Sequence, residues 1–159
     1  MQATLQKQHQ WLDKLIGEWN YESECQMEPA QPPSKFKGTE IVKSLGGLWI
    51  IAEGQGETPN GEMGTTIVTL GYDPQNDRYI GTFVCSMMSH LWLYNGSLDA
   101  TETVLTLDTE GPSCTETALA KYQDIITFVS NDHRILTSQI LGEDGNWHQF
   151  MTGHYWRKS

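Results

Sequence analysis

The residues best equipped for chemistry collect between Phe83 and Tyr94, with two carboxylates further along the chain. Met87-Met88-Ser89-His90 brings two thioethers and an imidazole together. That donor set suits soft Cu(I). Methionines also fill irregular core gaps, which leaves His90 partly solvated and without a ligating role. Trp92 and Tyr94 lie two residues apart, so they share one face of a strand. Each has an apolar body and a polar tip, fit for a pocket wall or for a packed core. Asp124 alternates in phase with Tyr122, Ile126 and Phe128, which predicts a buried carboxylate. Burial raises a carboxylate pKa and prepares it for proton transfer. A structural partnership with an arginine or a backbone amide is the plainer role. Glu110 in Glu110-Gly111-Pro112 has the same two readings, whereas Asp73, Asp77, Asp132 and Asp144 sit in turn sequences. There is no Gly-x-Ser-x-Gly elbow, no His-Glu-x-x-His and no phosphate-cradling glycine loop. No reaction class is therefore assigned, and a binding role is favoured over an enzyme.

These side chains need a scaffold of strands. Arg78 to Asp99 reads as two strands joined near Met88-Ser89-His90, rich in branched and aromatic residues. Upstream, Thr4 to Ile16 is the one helical segment, with Thr4 as N-cap and Gly17 as stop. Trp19 to Glu28 then alternates with period two: Trp19, Tyr21, Ser23, Cys25 and Met27 on one face, acids and amides on the other. Residues 29–34 form a proline-rich loop. Further strands are expected over 35–44, 48–57 and 64–72, and Asn60-Gly61 turns the chain between the last two. After the central hairpin, strands are expected over 102–109, 122–130, 134–141 and 147–157, with 110–114 irregular. About ten strands at this spacing specify an all-β domain. A closed antiparallel barrel of residues 1–159, capped by helical residues 1–17, is preferred to a sandwich, because closure removes edges and leaves room for one small guest.

Composition agrees with one soluble domain. The 159 residues are 38% hydrophobic and 19% charged, an ordinary globular balance. The formal net charge of −10 repels phosphate backbones and anionic lipid, arguing against nucleic-acid and membrane binding. Cys25, Cys85 and Cys114 are odd in number and lack CxxC spacing, so they are read as reduced thiols rather than disulfides or a zinc site. No apolar signal core or membrane-length run is present. A cytoplasmic location is expected.

Gly17-Glu18-Trp19 at the helix-to-strand junction resembles the Gly-x-Trp signature of the calycins, the lipocalin and fatty-acid-binding superfamily. That resemblance implies a tryptophan plugging the closed end and a basic side chain from the last strand covering it, a part that Arg157 is placed to play. A second resemblance spans most of the chain: Thr69-Leu70-Gly71-Tyr72-Asp73, Ser86-Met87-Met88, Leu91-Trp92, Gly96-Ser97-Leu98-Asp99, Glu110-Gly111-Pro112 and Asp144-Gly145-Asn146-Trp147 are similar to the bacterial domain of unknown function 1579 family. It implies a calycin-like barrel and no particular reaction. Nitrobindin-like haem proteins share the architecture, but their glycine-rich run after Gly-x-Trp is replaced here by Asn20-Tyr21-Glu22-Ser23.

If Arg157 covers Trp19, strand parity turns Tyr155, Gly153, Met151 and Gln149 inward and His154, Thr152, Phe150 and His148 outward, unless a bulge intervenes. This disfavours His154 as a haem ligand. The reading is a barrel holding a small, largely apolar ligand against Phe83, Met87, Met88, His90, Trp92, Tyr94, Tyr122, Met151 and Tyr155, with Glu110 or Asp124 orienting it. No cofactor is called for. An enzyme using Asp124, Glu110 or His90, a haem protein, and a filled barrel that dimerises through an apolar outer patch are the alternatives.

Overall fold

The strands alternate so regularly because one face must be dry. In a computed structural model, Trp19, Tyr21, Ser23 and Cys25 turn inward from β1 (Gly17–Cys25), while Asn20, Glu22 and Glu24 are exposed. The structure describes residues 1–26, 28, 30–58, 60–113, 115 and 117–158. The expected inward position of Met27 and the thiol of Cys114 lie outside the described residues.

Ten strands follow one short helical cap. After β1 come β2 (Ser34–Leu45), β3 (Trp49–Glu57), β4 (Met63–Asp73), β5 (Arg78–Cys85), β6 (Met88–Leu98), β7 (Val104–Pro112), β8 (Leu119–Ser130), β9 (His133–Leu141) and β10 (Trp147–Arg157). Each pairs antiparallel with the next, and β1 pairs with β10, so the sheet closes. Closure gives every strand a partner on both sides.

Of the boundaries that differ from the sequence reading, three have a cause visible in the hydrogen bonding. The helix α1 (Lys7–Trp11) starts after Gln6 rather than Thr4, because the Gln6 amide donates to His9 Nδ1 at 3.0 Å and fixes the first turn there. The central hairpin turns at Ser86-Met87, ahead of Met88-Ser89-His90. The Ser86 amide bonds the Thr65 carbonyl and its hydroxyl accepts from the Thr65 amide, which ties the turn to β4. Finally, β7 runs on through Gly111 and Pro112, which pair with Ala120 and Leu119. Glycine and proline here extend a strand whose other neighbour has already parted from it.

The closed end is filled. Trp11, Leu12 and Leu15 of the cap are buried against Trp19, Val42, Ile50, Leu70, Tyr72, Tyr79, Leu105 and Ile126. Long-range hydrogen bonds dock the cap: Trp11 Nε1 donates to the Glu102 carbonyl at 2.6 Å and the Tyr79 hydroxyl to the Gln8 carbonyl at 3.1 Å. The cap leads into β1 through Gly17, whose φ of +136° suits glycine and whose missing Cβ leaves space for the Arg157 guanidinium.

Trp19 is fully buried and donates from Nε1 to the Leu15 carbonyl at 2.9 Å. The Arg157 guanidinium lies 4.3 Å from its ring and also bonds the Ile16, Lys14 and Asn131 carbonyls. The covering arginine expected from the Gly-x-Trp resemblance is therefore present. A second guanidinium, that of Arg134, stacks on the same indole at 4.6 Å and on Tyr155 at 4.1 Å. Tyr155 stacks in turn on Tyr21, with centroids 5.1 Å apart. A column of alternating cations and rings thus rises from the floor into the lumen.

Candidate functional site

Above that column the interior changes character. Inward side chains at the closed end are buried, whereas Tyr21, Phe36, Thr66, Phe83, Trp92, Asp124 and Met151 face inward and keep partial contact with solvent. Two polar groups stand among them. In the first, Arg134 Nη2 pairs with Glu40 Oε1, both side chains being buried. In the second, the Tyr94 hydroxyl donates to Asp124 Oδ2, and the Ser138 hydroxyl donates to Oδ1 at 2.6 Å.

The barrel's register explains the second group. Asp124 pairs with Ser138 across β8 and β9 and with Leu107 across β7 and β8. Tyr94 arrives from β6. Burial pushes the Asp124 carboxyl above the usual range, while the bonds from Ser138 and Tyr94 pull the other way. Burial, then the neighbouring carboxylate, pushes the Tyr94 hydroxyl well above its ordinary value. It therefore remains a proton donor to Asp124 at neutral pH.

The remaining expected site residues divide. Phe83, Tyr94 and Tyr155 pack in or against the core, and Met151 sits beside Ser138 on the inner face. Tyr122 is buried, donates to the Pro112 carbonyl at 2.5 Å, and meets Trp92 edge to face at 5.1 Å and Phe150 at 6.1 Å. Trp92 donates from Nε1 to the Met88 sulfur at 3.3 Å. His90 Nε2 bonds the Glu110 carbonyl at 2.9 Å, and its ring meets Trp92 at 4.7 Å. Met88 and His90 are thus engaged in the wall with His90 half-buried, and the expected place of Met87 on the pocket lining is corrected, because it lies 57% exposed at the hairpin tip. Glu110 is corrected as well. Its side chain is exposed, because Thr109 and Gly111 take the inward positions of β7.

In β10 a bulge between Gln149 and Met151 reverses the parity near the mouth. Gln149 pairs with outward Gln139, His148 shares a face with Ile140, and Phe150 reaches Tyr122. Gln149 inward and Phe150 outward are corrected on this ground, whereas His148 stays exposed and bonds Asp144 at 2.9 Å. Past the bulge the expected parity returns, and His154 is on the outside, 3.0 Å from His133 and stacked with Trp156.

The wall beside Trp92 has a seam. The β6–β7 ladder covers only Asn95–Leu98 against Leu105–Asp108, whereas β7 stays paired with β8 through Pro112. Across the gap run the His90–Glu110 carbonyl bond and the Trp92 ring, which occupies the space a Cβ at Gly111 would need.

Glu40, Arg134, Ser138 and Thr109 were not singled out in the sequence. Glu40 was within reach, since Phe36, Gly38, Glu40 and Val42 alternate in phase with the core just as Asp124 does with its neighbours. A recess of about 370 Å³ elsewhere is lined by Glu22, Glu24, Lys35, Lys37, Glu57 and His154 among others. It lies on the outer wall, where Glu22 faces Lys37 and Glu24 faces Lys35, which leaves Glu57 as the unmatched carboxylate.

Closed topology, the tryptophan plug and the covering arginine define a calycin-like barrel. The family model described as "Protein of unknown function (DUF1579)" matches residues 4–157; the chain belongs to that family. No curated protein matches it. Among solved structures, Rv2717c from M. tuberculosis superposes with a TM-score of 0.68 at 13% identity, covering 98% of this chain and 100% of that one. The S-type phycobiliprotein lyase CPES from Guillardia theta gives 0.60 at 13% identity, covering 99% of each chain. EF1p2_mFAP2b bound to DFHBI gives 0.51 at 15% identity, covering 94% and 98%. At such identities the likeness is one of fold. Among the described residues no helix is long and apolar enough to cross a membrane.

Proposed function

We propose that this barrel binds a small, largely apolar molecule in the mouth half of its lumen. The observation that carries this is the split interior: a dry, filled floor beneath inward-facing Phe36, Phe83, Trp92 and Met151 that keep solvent contact. Such a wall gains about 25 cal/mol for each Å² of apolar surface a guest removes from water. Asp124, fixed by Tyr94 and Ser138, supplies the polar anchor that small-molecule sites use for orientation. EF1p2_mFAP2b, with DFHBI bound, supports a guest-holding role for this architecture. The neutral dye Nile red is expected to brighten with saturable binding. Thr66→Trp, which fills the lumen from β4, is expected to weaken it about tenfold by overpacking. Absence of saturable binding, with native mass spectrometry of gently purified protein showing only the bare chain, would remove the proposal.

A second reading concerns the outer wall. Ile51, Ile67, Val84, Leu91 and Leu93 are exposed on β3 to β6. The row Ile51–Thr69–Thr82–Leu93 contains no charge. This favours a second copy of the chain as partner, since an uncharged apolar strip on a protein of net charge −10 is where self-repulsion is least. Sedimentation equilibrium should find a dimer that Leu93→Glu dissociates; a wild-type monomer at the highest soluble concentration excludes it.

A further inference from the structure

The interior charges are unequally matched. Glu40 and Arg134 neutralise each other. Arg157 is at the floor, committed to backbone carbonyls and Asp132. The lysines of β2 and β8 are on the outside: Lys35, Lys37, Lys43 and Lys121 are all exposed. Among the described residues, Asp124 is thus the inward-facing charged side chain with no cation of its own. Its two hydrogen bonds come from neutral hydroxyls, and each carboxylate oxygen can accept again.

A second observation lies in the neighbouring row. Thr109 pairs with Tyr122, just as Leu107 pairs with Asp124, so Thr109 stands diagonally next to Asp124 on the inner face. It is 7% exposed, and its hydroxyl has no hydrogen-bond partner. Buried hydroxyls are rarely left so. A guest whose head donates several hydrogen bonds would satisfy Asp124 and Thr109 together.

Resting on the binding role proposed above, we infer that the lumen selects guests with a primary ammonium head and an apolar tail, and rejects the matching carboxylates. The ammonium offers three donors and a positive charge, one for each unmet feature of the site. A carboxylate would set a second negative charge beside Asp124 in a poorly hydrated space, where like charges repel strongly.

Isothermal titration of the intact protein with octylamine, octanol and octanoate tests this. Octylamine is expected to bind at least about tenfold more tightly than octanoate, with octanol between them. Asp124→Asn should abolish the preference for octylamine over octanol and octanoate. Affinity for octylamine should also rise with pH as Asp124 ionises, then level off. The groups facing Asp124 through this titration are Tyr94, Tyr155 and the Arg134–Glu40 pair. The hydroxyls of Tyr94 and Tyr155 are raised mainly by burial, so they stay neutral. Octanoate binding as well as octylamine overturns the head-group inference while octanol binding sustains the ligand-binding role. Failure of all three compounds and of Nile red to bind overturns both. The head-group comparison uses the wild-type protein, so it holds even if Asp124→Asn fails to fold.

Discussion

Glu40→Ala is expected to cost about 3–5 kcal/mol of folding free energy, because it leaves the Arg134 guanidinium buried without its counter-charge. Domains of this size have only about 5–15 kcal/mol in total, so the variant should approach the limit of folding. The dependence arises from geometry. Arg134 is held between the rings of Trp19 and Tyr155 and cannot swing to water without dismantling the column. Its Nε has no hydrogen-bond partner, and among the described residues Glu40 is its one ion-pair partner. Glu40→Leu combined with Arg134→Met should recover much of the loss, since replacing both charges removes the desolvation cost as well. Urea unfolding with an unchanged m value is the measurement. A loss below about 1 kcal/mol for Glu40→Ala would mean that the guanidinium finds water, as exposed pairs do.

Trp19→Ala is the other large effect, expected at about 3–5 kcal/mol from the lost ring and the cavity left behind. Trp19 joins three parts of the molecule: its indole N–H holds the Leu15 carbonyl of the cap, and its ring meets the guanidiniums of both Arg157 of β10 and Arg134 of β9. The cap should therefore loosen along with the barrel. Trp19→Phe keeps a ring between the guanidiniums and should cost less, losing the hydrogen bond and part of the area. Near-ultraviolet circular dichroism and urea melts of both variants check this. Equal losses for the two would assign the effect to the N–H bond alone.

Much of the architecture was legible because period-two alternation reports burial directly. Trp19, Tyr21, Ser23 and Cys25 show it, and Asp124 revealed itself by keeping step with Tyr122 and Ile126. Alternation is local, however, and pairing is not. Nothing along the chain says that Arg134 will oppose Tyr155, or that Tyr94 and Ser138 will converge on one carboxylate from strands on either side. Parity also fails where the backbone adds a residue. The bulge between Gln149 and Met151 exchanged the faces of Gln149 and Phe150, and the hairpin turned early enough to leave Met87 in water. Glu110 missed the lumen by one position, the smallest register error a strand permits.

The seam between β6 and β7 has a mechanical consequence. Elsewhere, parting two neighbouring strands breaks a ladder of backbone hydrogen bonds; between Trp92 and Gly111 it breaks the His90–Glu110 hydrogen bond and slides an indole off a glycine. The flank of the barrel is accordingly softer than its staves, and any widening of the rim meets least resistance there.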